Sequence, residues 1–284
     1  MKKKLKLTKS QLEDLYLGKK MSSQNIADKL KKISARTIRK KLKKFGIKTR
    51  SISEALTRKF KKSFINNLSE KAYFLGLRAG DFHARWARKS IRVQTTTTHL
   101  AQINLLKSAF ENYGEIRTYL TKNKSRENEW FIYVDLDKSF KFLLSKPKEI
   151  PYWVLRTKKY FFQFLAAYMD CEGSWKVQKS HQRHTRFIFK IRTGDLKILK
   201  QIKRQLEIFG YHPCLYLDRK RGDKTNYGTY NQNMFDLTIN RREEVISLTK
   251  DLLLMSKHNE KIRKMNFILK NKNTKWADLQ EIWV

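Results

Sequence analysis

Acidic residues, prolines, glycines and cysteines are all scarce in this chain, and each scarcity removes a class of protein. Three prolines and ten glycines in 284 residues leave no long flexible linker and no low-complexity segment. Two cysteines, Cys171 and Cys214, cannot build a disulfide framework and fit a reducing, intracellular setting. No run of eighteen apolar residues occurs, which argues against a transmembrane helix and any membrane association. The opening MKKKLKLTKSQLEDLYL starts as a signal peptide would, but Glu13 and Asp14 interrupt the apolar region. Only 26 Asp and Glu face 64 Lys and Arg, a net charge of +38. Because 40% of residues are hydrophobic and 12% aromatic, the charge belongs to a folded protein and not to a disordered tail. The partner this implies is a polyanion, nucleic acid ahead of a membrane surface or an acidic protein.

The charge is unevenly spread. Residues 1–68 hold 22 basic and 4 acidic residues, whereas the remaining 216 hold 42 and 22. The dense first quarter reads as three short helices. Thr8 and Gln11 have capping-box spacing before QLEDLYL. Ser22 or Ser23 caps QNIADKL, and a third helix runs from Ser34 to a left-handed cap at Gly46. Ile38, Leu42 and Phe45 line one stripe of the third helix, while Arg36, Arg39, Lys40, Lys43 and Lys44 occupy much of the rest. The trio resembles a helix-turn-helix module whose third helix would enter a major groove, with the basic segment GIKTRSISEA trailing along the backbone. A solvated face on an ordinary helix bundle is the bland alternative, and the charge density favours DNA.

The rest of the chain repeats itself. Helix, two strands, helix, two strands, helix is the order from Leu68, and a similar order begins near Lys158. The expected fold is therefore α+β. It has two pseudo-symmetric αββαββα repeats after an all-helical domain: 1–67 for the helical domain and its basic linker, 68–157 and 158–271 for the repeats, 272–284 for a C-terminal tail. A pseudo-twofold monomer suits a pseudo-symmetric duplex.

The helices that open the repeats carry FLGLRAGDF (74–82) and LAAYMDCEG (165–173). Both resemble the LAGLIDADG signature of homing endonucleases, with Asp81 and Glu172 at the eighth motif position. The resemblance covers residues 68–271 by order of elements and some nine residues per repeat by motif. It implies a saddle gripping double-stranded DNA, and a metal-dependent endonuclease that cuts across the minor groove to leave 3′ overhangs and spreads an intron. It also implies a lysine near the scissile phosphate, for which Lys146 and Lys257 sit at plausible positions.

The chemistry of the residues points the same way. Gly76, Ala79 and Gly80 in one helix, and Ala166, Ala167 and Cys171 in the other, are small residues at helical spacing. They permit closer packing than the usual ~8–10 Å between helix axes. Close packing brings the helix ends, and so Asp81 and Glu172, together. Two such carboxylates repel, and one retains its proton unless cations lie between them. Mg²⁺, with Mn²⁺ as the alternative, suits oxygen ligands completed by phosphate and water. The bland reading, in which both residues merely end interface helices, puts carboxylates at the unfavourable end of two helix dipoles. Phe82 and Arg78 depart from the motif, and a bulky Phe82 at the helix exit is expected to shift Asp81. Asp170 reads as structural.

Period-two counting in the strands puts His83, Arg85, Arg92, Gln94, Thr96, Arg117, Tyr119 and Thr121 on the polar face of the first repeat. The second contributes Lys176, Gln178, Lys190 and Arg192. Trp86, Ile91, Val93, Trp175, Val177, Phe187, Phe189 and Ile191 are expected on the core face. The polar face, nearly free of acid, has the side chains that read major-groove base edges. An inactive DNA-binding regulator and an intron RNA maturase are the alternative functions on this scaffold.

Overall fold

The computed structural model describes residues 7–19, 21–30, 33–49, 61–121, 129–179, 185–225, 228–275 and 279. The chain divides into two compact units, Met1–Phe60 and Lys61–Val284. In the first, the capping box at Thr8 and Gln11 starts helix α1 (Lys9–Glu13), which runs into a π-helical turn at Asp14–Gly18. Helix α2 is Ser23–Leu30 and α3 is Ala35–Lys44. The Ser34 side chain caps α3 by accepting from Thr37 N at 3.2 Å, and Gly46 takes the left-handed φ of 65° just past its end. Leu12, Tyr16, Ile26, Ala27, Ile38 and Leu42 form a small core, so one stripe of α3 faces inward. Arg36, Arg39, Lys40 and Lys43 are all exposed on the remainder. Most of GIKTRSISEA lies outside the described residues.

The second unit contains both repeats. The first consists of α4 (Leu68–Ala79), β1 (His83–Ala87), β2 (Ser90–Thr97), α5 (Leu100–Phe110), β3 (Ile116–Thr121), β4 (Glu129–Leu136) and a 3₁₀ helix at Lys138–Leu143. A single turn, α6 (Tyr152–Leu155), leads into the second repeat. That repeat is α7 (Lys158–Glu172), β5 (Gly173–Lys179), β6 (Thr185–Thr193), α8 (Leu196–Ile208), β7 (Cys214–Arg219), a small hairpin β8–β9 (Lys224–Thr225, Gly228–Thr229), β10 (Met234–Ile239) and α9 (Arg242–Leu253). Helix α10 (Asn259–Lys270) follows. The antiparallel sheets have the matching orders β1-β2-β4-β3 and β5-β6-β10-β7, the expected pseudo-symmetric α+β plan.

Three expectations need correction. The first repeat closes on a 3₁₀ helix instead of an α-helix. The break between units falls after Phe60, not after residue 67. Lys62 N donates to Tyr113 O at 3.1 Å and Phe64 N to Ser139 Oγ at 2.8 Å, which ties residues 61–67 to the second unit. Trp86, expected in the core, is 52% exposed. Of the β1 residues, only Ala84 is buried, and β1 is an edge strand of its sheet.

Candidate functional site

The motif helices α4 and α7 pack against each other along their small residues. A Cβ placed on Gly76 would lie 2.8 Å from Ala167 Cβ, with the Phe164 carbonyl oxygen nearer still, and one on Gly80 would lie 2.9 Å from Cys171 Sγ. Third motif position therefore meets third, and seventh meets seventh, about a local twofold. This approach carries Asp81, just past the C-terminus of α4, and Glu172, the last residue of α7, to one place. The charge of Asp81 ranks second, after burial, among the influences on Glu172.

The two motif departures are absorbed. Phe82 is 1% exposed and packs into the core, so the bulky residue leaves Asp81 exposed at the helix exit instead of displacing it. Buried Arg78 donates from Nε to Leu143 O at 2.8 Å and from its terminal nitrogen to Phe82 O at 3.0 Å. It thereby joins the turn after Asp81 to the segment that leads to Lys146.

The surroundings of the carboxylates differ. Asp81 accepts from Gln102 Nε2 at 2.7 Å, and Gln102 Oε1 is buried with no hydrogen-bond partner. Burial, then the charges of Asp81 and Asp195, push the Glu172 carboxyl up to about 7, with Lys146 and Lys261 opposing. Lys146 stands 4.0 Å from Asp195, which also accepts from Tyr168 OH at 3.3 Å. Lys146 is thus one of the charges that act on Glu172.

Lys257 does not reach the carboxylates. Its ammonium donates to Ser108 O at 3.4 Å and stands 4.9 Å from the Tyr73 ring, under the charges of Glu70, Asp170 and Glu111. A different lysine, Lys261, lines a cavity of about 470 Å³ together with Asp81, Gln102, His99 and Cys171. Asp170 is structural, being 1% exposed and accepting from Tyr73 OH at 2.7 Å, from Lys257 N at 2.8 Å and from Ser256 Oγ. Gln102, Asp195 and Lys261 had no local sequence signal. They sit in helices and loops whose amphipathic patterns are ordinary, and only the fold directs them here.

Among the described residues no group of three or more His, Cys, Asp or Glu could hold a metal by itself. Two adjacent carboxylates and an unsatisfied carboxamide oxygen are hard oxygen donors, suited to a divalent cation whose shell is completed from outside the protein. The raised Glu172 has a measurable consequence. Its folded value exceeds the ordinary carboxyl value, so its contribution to stability is fully present below about pH 4.5 and is lost as pH rises through 7. In chelator at pH 8, Glu172→Gln should therefore raise stability by about 2 kcal/mol after allowance for partial exposure, or roughly 5 °C in melting temperature. At pH 4 the difference should vanish. Equal melting at both pH values would show that Glu172 is not held in this environment.

The sheet face is less uniformly basic than expected. Arg92 makes a bidentate pair with Asp135 (2.7 and 2.9 Å) and lies 3.9 Å over the Tyr133 ring. Lys190 and Arg192 both bind Asp236, which is 1% exposed, and Arg192 also reaches Asp218 at 2.8 Å. The acids come from β4, β7 and β10. In the central strands β4 and β10, consecutive residues are buried, so alternation could not tell which face each side chain takes. Arg85 donates to Gln94 at 3.1 Å across β1–β2, and Arg117 to Tyr133 OH at 3.0 Å. Lys176 and Gln178 are exposed on β5, as are His83, Thr96, Tyr119 and Thr121 on the first sheet. Arg186, paired in register with Gln178, adds an exposed cation not foreseen.

Residues 160–253 match the family described as LAGLIDADG-like domain, and no curated protein matches the chain. Several solved structures are similar. The homing endonuclease I-WcaI bound to its DNA recognition sequence is 16% identical, with 78% of this chain and 97% of that one covered and a TM-score of 0.51. I-DmoI in complex with DNA and Mn is 18% identical (68% and 99% covered, TM-score 0.40). The LAGLIDADG homing endonuclease I-GzeII in complex with its DNA target is 11% identical (70% and 90%, TM-score 0.42). Residues 160–253 thus match a LAGLIDADG-like domain, and the chain shares the fold of the homing endonuclease I-WcaI.

Proposed function

We propose that the protein is a sequence-specific double-strand DNA endonuclease, working as a monomer inside the cell. The observation that carries this reading is the close packing of Gly76 and Gly80 on α7, which sets Asp81 and Glu172 side by side at paired helix ends. The DNA bound by I-WcaI in the structure similar to this one supports it. Asp81 and Glu172 would hold Mg²⁺ or Mn²⁺, with Gln102 hydrogen-bonded to Asp81 beside them. The bound cation supplies Lewis acidity and an activated water for phosphodiester hydrolysis. Gln102 orients the Asp81 carboxylate through its amide. Lys146 sets positive charge beside Glu172 and favours its ionised form, which a cation ligand requires. Arg78 holds the Asp81 exit and the Lys146 segment in fixed relation. On the sheets, Arg85, Lys176 and Arg186 offer cations to phosphates, while Arg92, Lys190 and Arg192, held by internal carboxylates, would read base edges from fixed positions. No observation favours the regulator, because Phe82 is accommodated, and none favours RNA.

The test is incubation of the purified protein with a plasmid library carrying the DNA that flanks its reading frame. With Mg²⁺ it should linearise one sequence, and no cleavage across Mg²⁺ and Mn²⁺ would overturn the proposal. The exposed basic face of α3 is proposed to extend the DNA contact. Deleting residues 1–60 should then weaken binding and flatten the dependence of log K on log salt by several units, since each lost phosphate contact removes about 0.9 from the slope. An unchanged slope would mean that the helical unit does not touch DNA.

A further inference from the structure

Lys261 lines the cavity that Asp81 also lines, and its ammonium hydrogen-bonds to backbone carbonyls and to neither carboxylate. Its ammonium donates to three successive carbonyls of the last turn of α7: Met169 at 2.5 Å, Asp170 at 2.7 Å and Cys171 at 3.2 Å. An ammonium has three donors, so this set satisfies it. None is left for a phosphate oxygen or for the carboxylates, and no ion pair among the described residues includes Asp81 or Glu172. The next residue in the chain is Glu172, and the lysine lines the same cavity as Asp81. The charge is therefore present at the site without occupying a single carboxylate oxygen.

The ammonium is also fixed in place. Ser256 Oγ and Lys257 N bind the buried Asp170 carboxylate, and the His258 side chain caps α10 by accepting from Lys261 N at 3.4 Å. The segment that delivers Lys261 is thus fastened to α7 itself. His258, Glu260 and His99 also face the cavity. A lysine on the negative end of a helix dipole is well placed for its own sake, but here the same position lies against a site suited to a doubly charged cation.

We propose that Lys261 is a built-in counter-ion of the carboxylate pair, which keeps the bare protein's hold on a divalent cation weak and makes tight metal occupancy conditional on bound DNA phosphates. Fixed positive charge opposes an arriving cation through Coulomb repulsion in a site of reduced dielectric. Phosphate oxygens supply the missing ligands and negative charge, so metal and DNA bind with positive coupling. Lys261 acts through the carboxylates and the helix end and touches no reacting atom, which makes it a positioning residue. The inference rests on the metal-site reading above.

Mn²⁺ titration of the full-length protein without DNA, counting free ion by electron paramagnetic resonance, tests it. Lys261→Gln keeps an amide donor for the α7 carbonyls but removes the charge, and should bind Mn²⁺ about ten-fold more tightly than wild type. Lys261→Met should do the same if it folds, and Lys261→Arg, which keeps the charge, should stay within about two-fold of wild type. Adding Glu172→Gln to Lys261→Gln should abolish the gain. A folded Lys261→Gln with unchanged or weaker Mn²⁺ affinity would overturn the proposal, as would a gain that survives Glu172→Gln. Either result leaves the endonuclease reading standing if the wild type still cleaves DNA. Absence of cleavage by the wild type alongside a Glu172-dependent gain would instead remove the endonuclease reading alone.

Discussion

Replacing Asp81 by Asn, or Glu172 by Gln, should reduce metal-dependent cleavage of duplex DNA by about 10³-fold or more while leaving DNA affinity intact or slightly raised. The size of the loss follows from the donor set. Among the described residues no third acid or histidine joins these two in a metal cage, so each substitution removes half of the protein's charged ligands. Neutral Asn and Gln are close to isosteric with the acids they replace. Asp81 is exposed, and its Oδ2 accepts from Gln102, a contact that Asn can retain through its own oxygen. Affinity should survive because the phosphate-facing cations lie on the sheets, and it gains where a carboxylate near a phosphate is removed. Cleavage of a supercoiled target and an electrophoretic binding assay on the same samples separate the two effects. A double variant cutting at the wild-type rate would remove both residues from the chemistry.

The second large effect concerns the helix pair. Gly76→Ala should destabilise the Lys61–Val284 unit by about 3 kcal/mol, or roughly 5–10 °C in melting temperature, despite alanine's better helix propensity. The added methyl would meet Ala167 Cβ at 2.8 Å and the Phe164 backbone. Backbone of a packed helix cannot move aside as a side-chain tip can, so α4 must shift off α7. Ala167→Gly should recover part of the loss in the Gly76→Ala background, because it removes one of the two obstacles. Cleavage should fall more than stability accounts for, since the shift separates Asp81 from Glu172. A melting temperature equal to wild type would mean that the helices do not approach as described.

How far each feature could be read in advance depended on the range of the interactions behind it. Capping at Thr8 and Ser34, the left-handed Gly46 and the α/β order of both repeats are local, and one segment's residues suffice to specify them. Asp81 and Glu172 were legible for a different reason: two segments about ninety residues apart carry the same pattern of small residues ending in a carboxylate, and self-similarity substitutes for contact information. Trp86 was misplaced because alternation assumes a strand with one buried face, and in the edge strand β1 only Ala84 is buried. Lys257 was put forward on spacing alone, which cannot resolve where a lysine at the turn after α9 will point. The hydrogen bonds of Asp170 to Ser256 and Lys257 set that turn, and they span more than eighty residues.

The sequence by itself determined the charge, the element order and the paired acidic motifs, since these are properties of composition and of local periodicity. Only the tertiary structure decided which groups surround the acids. Gln102, Lys146, Asp195 and Lys261 arrive from four separate segments, and each is placed by packing and long-range hydrogen bonds. The same holds for the internal acids Asp135, Asp218 and Asp236, which hold Arg92, Lys190 and Arg192 on the sheet face. Cross-strand neighbours are set by register, a relation between distant segments that no single strand encodes.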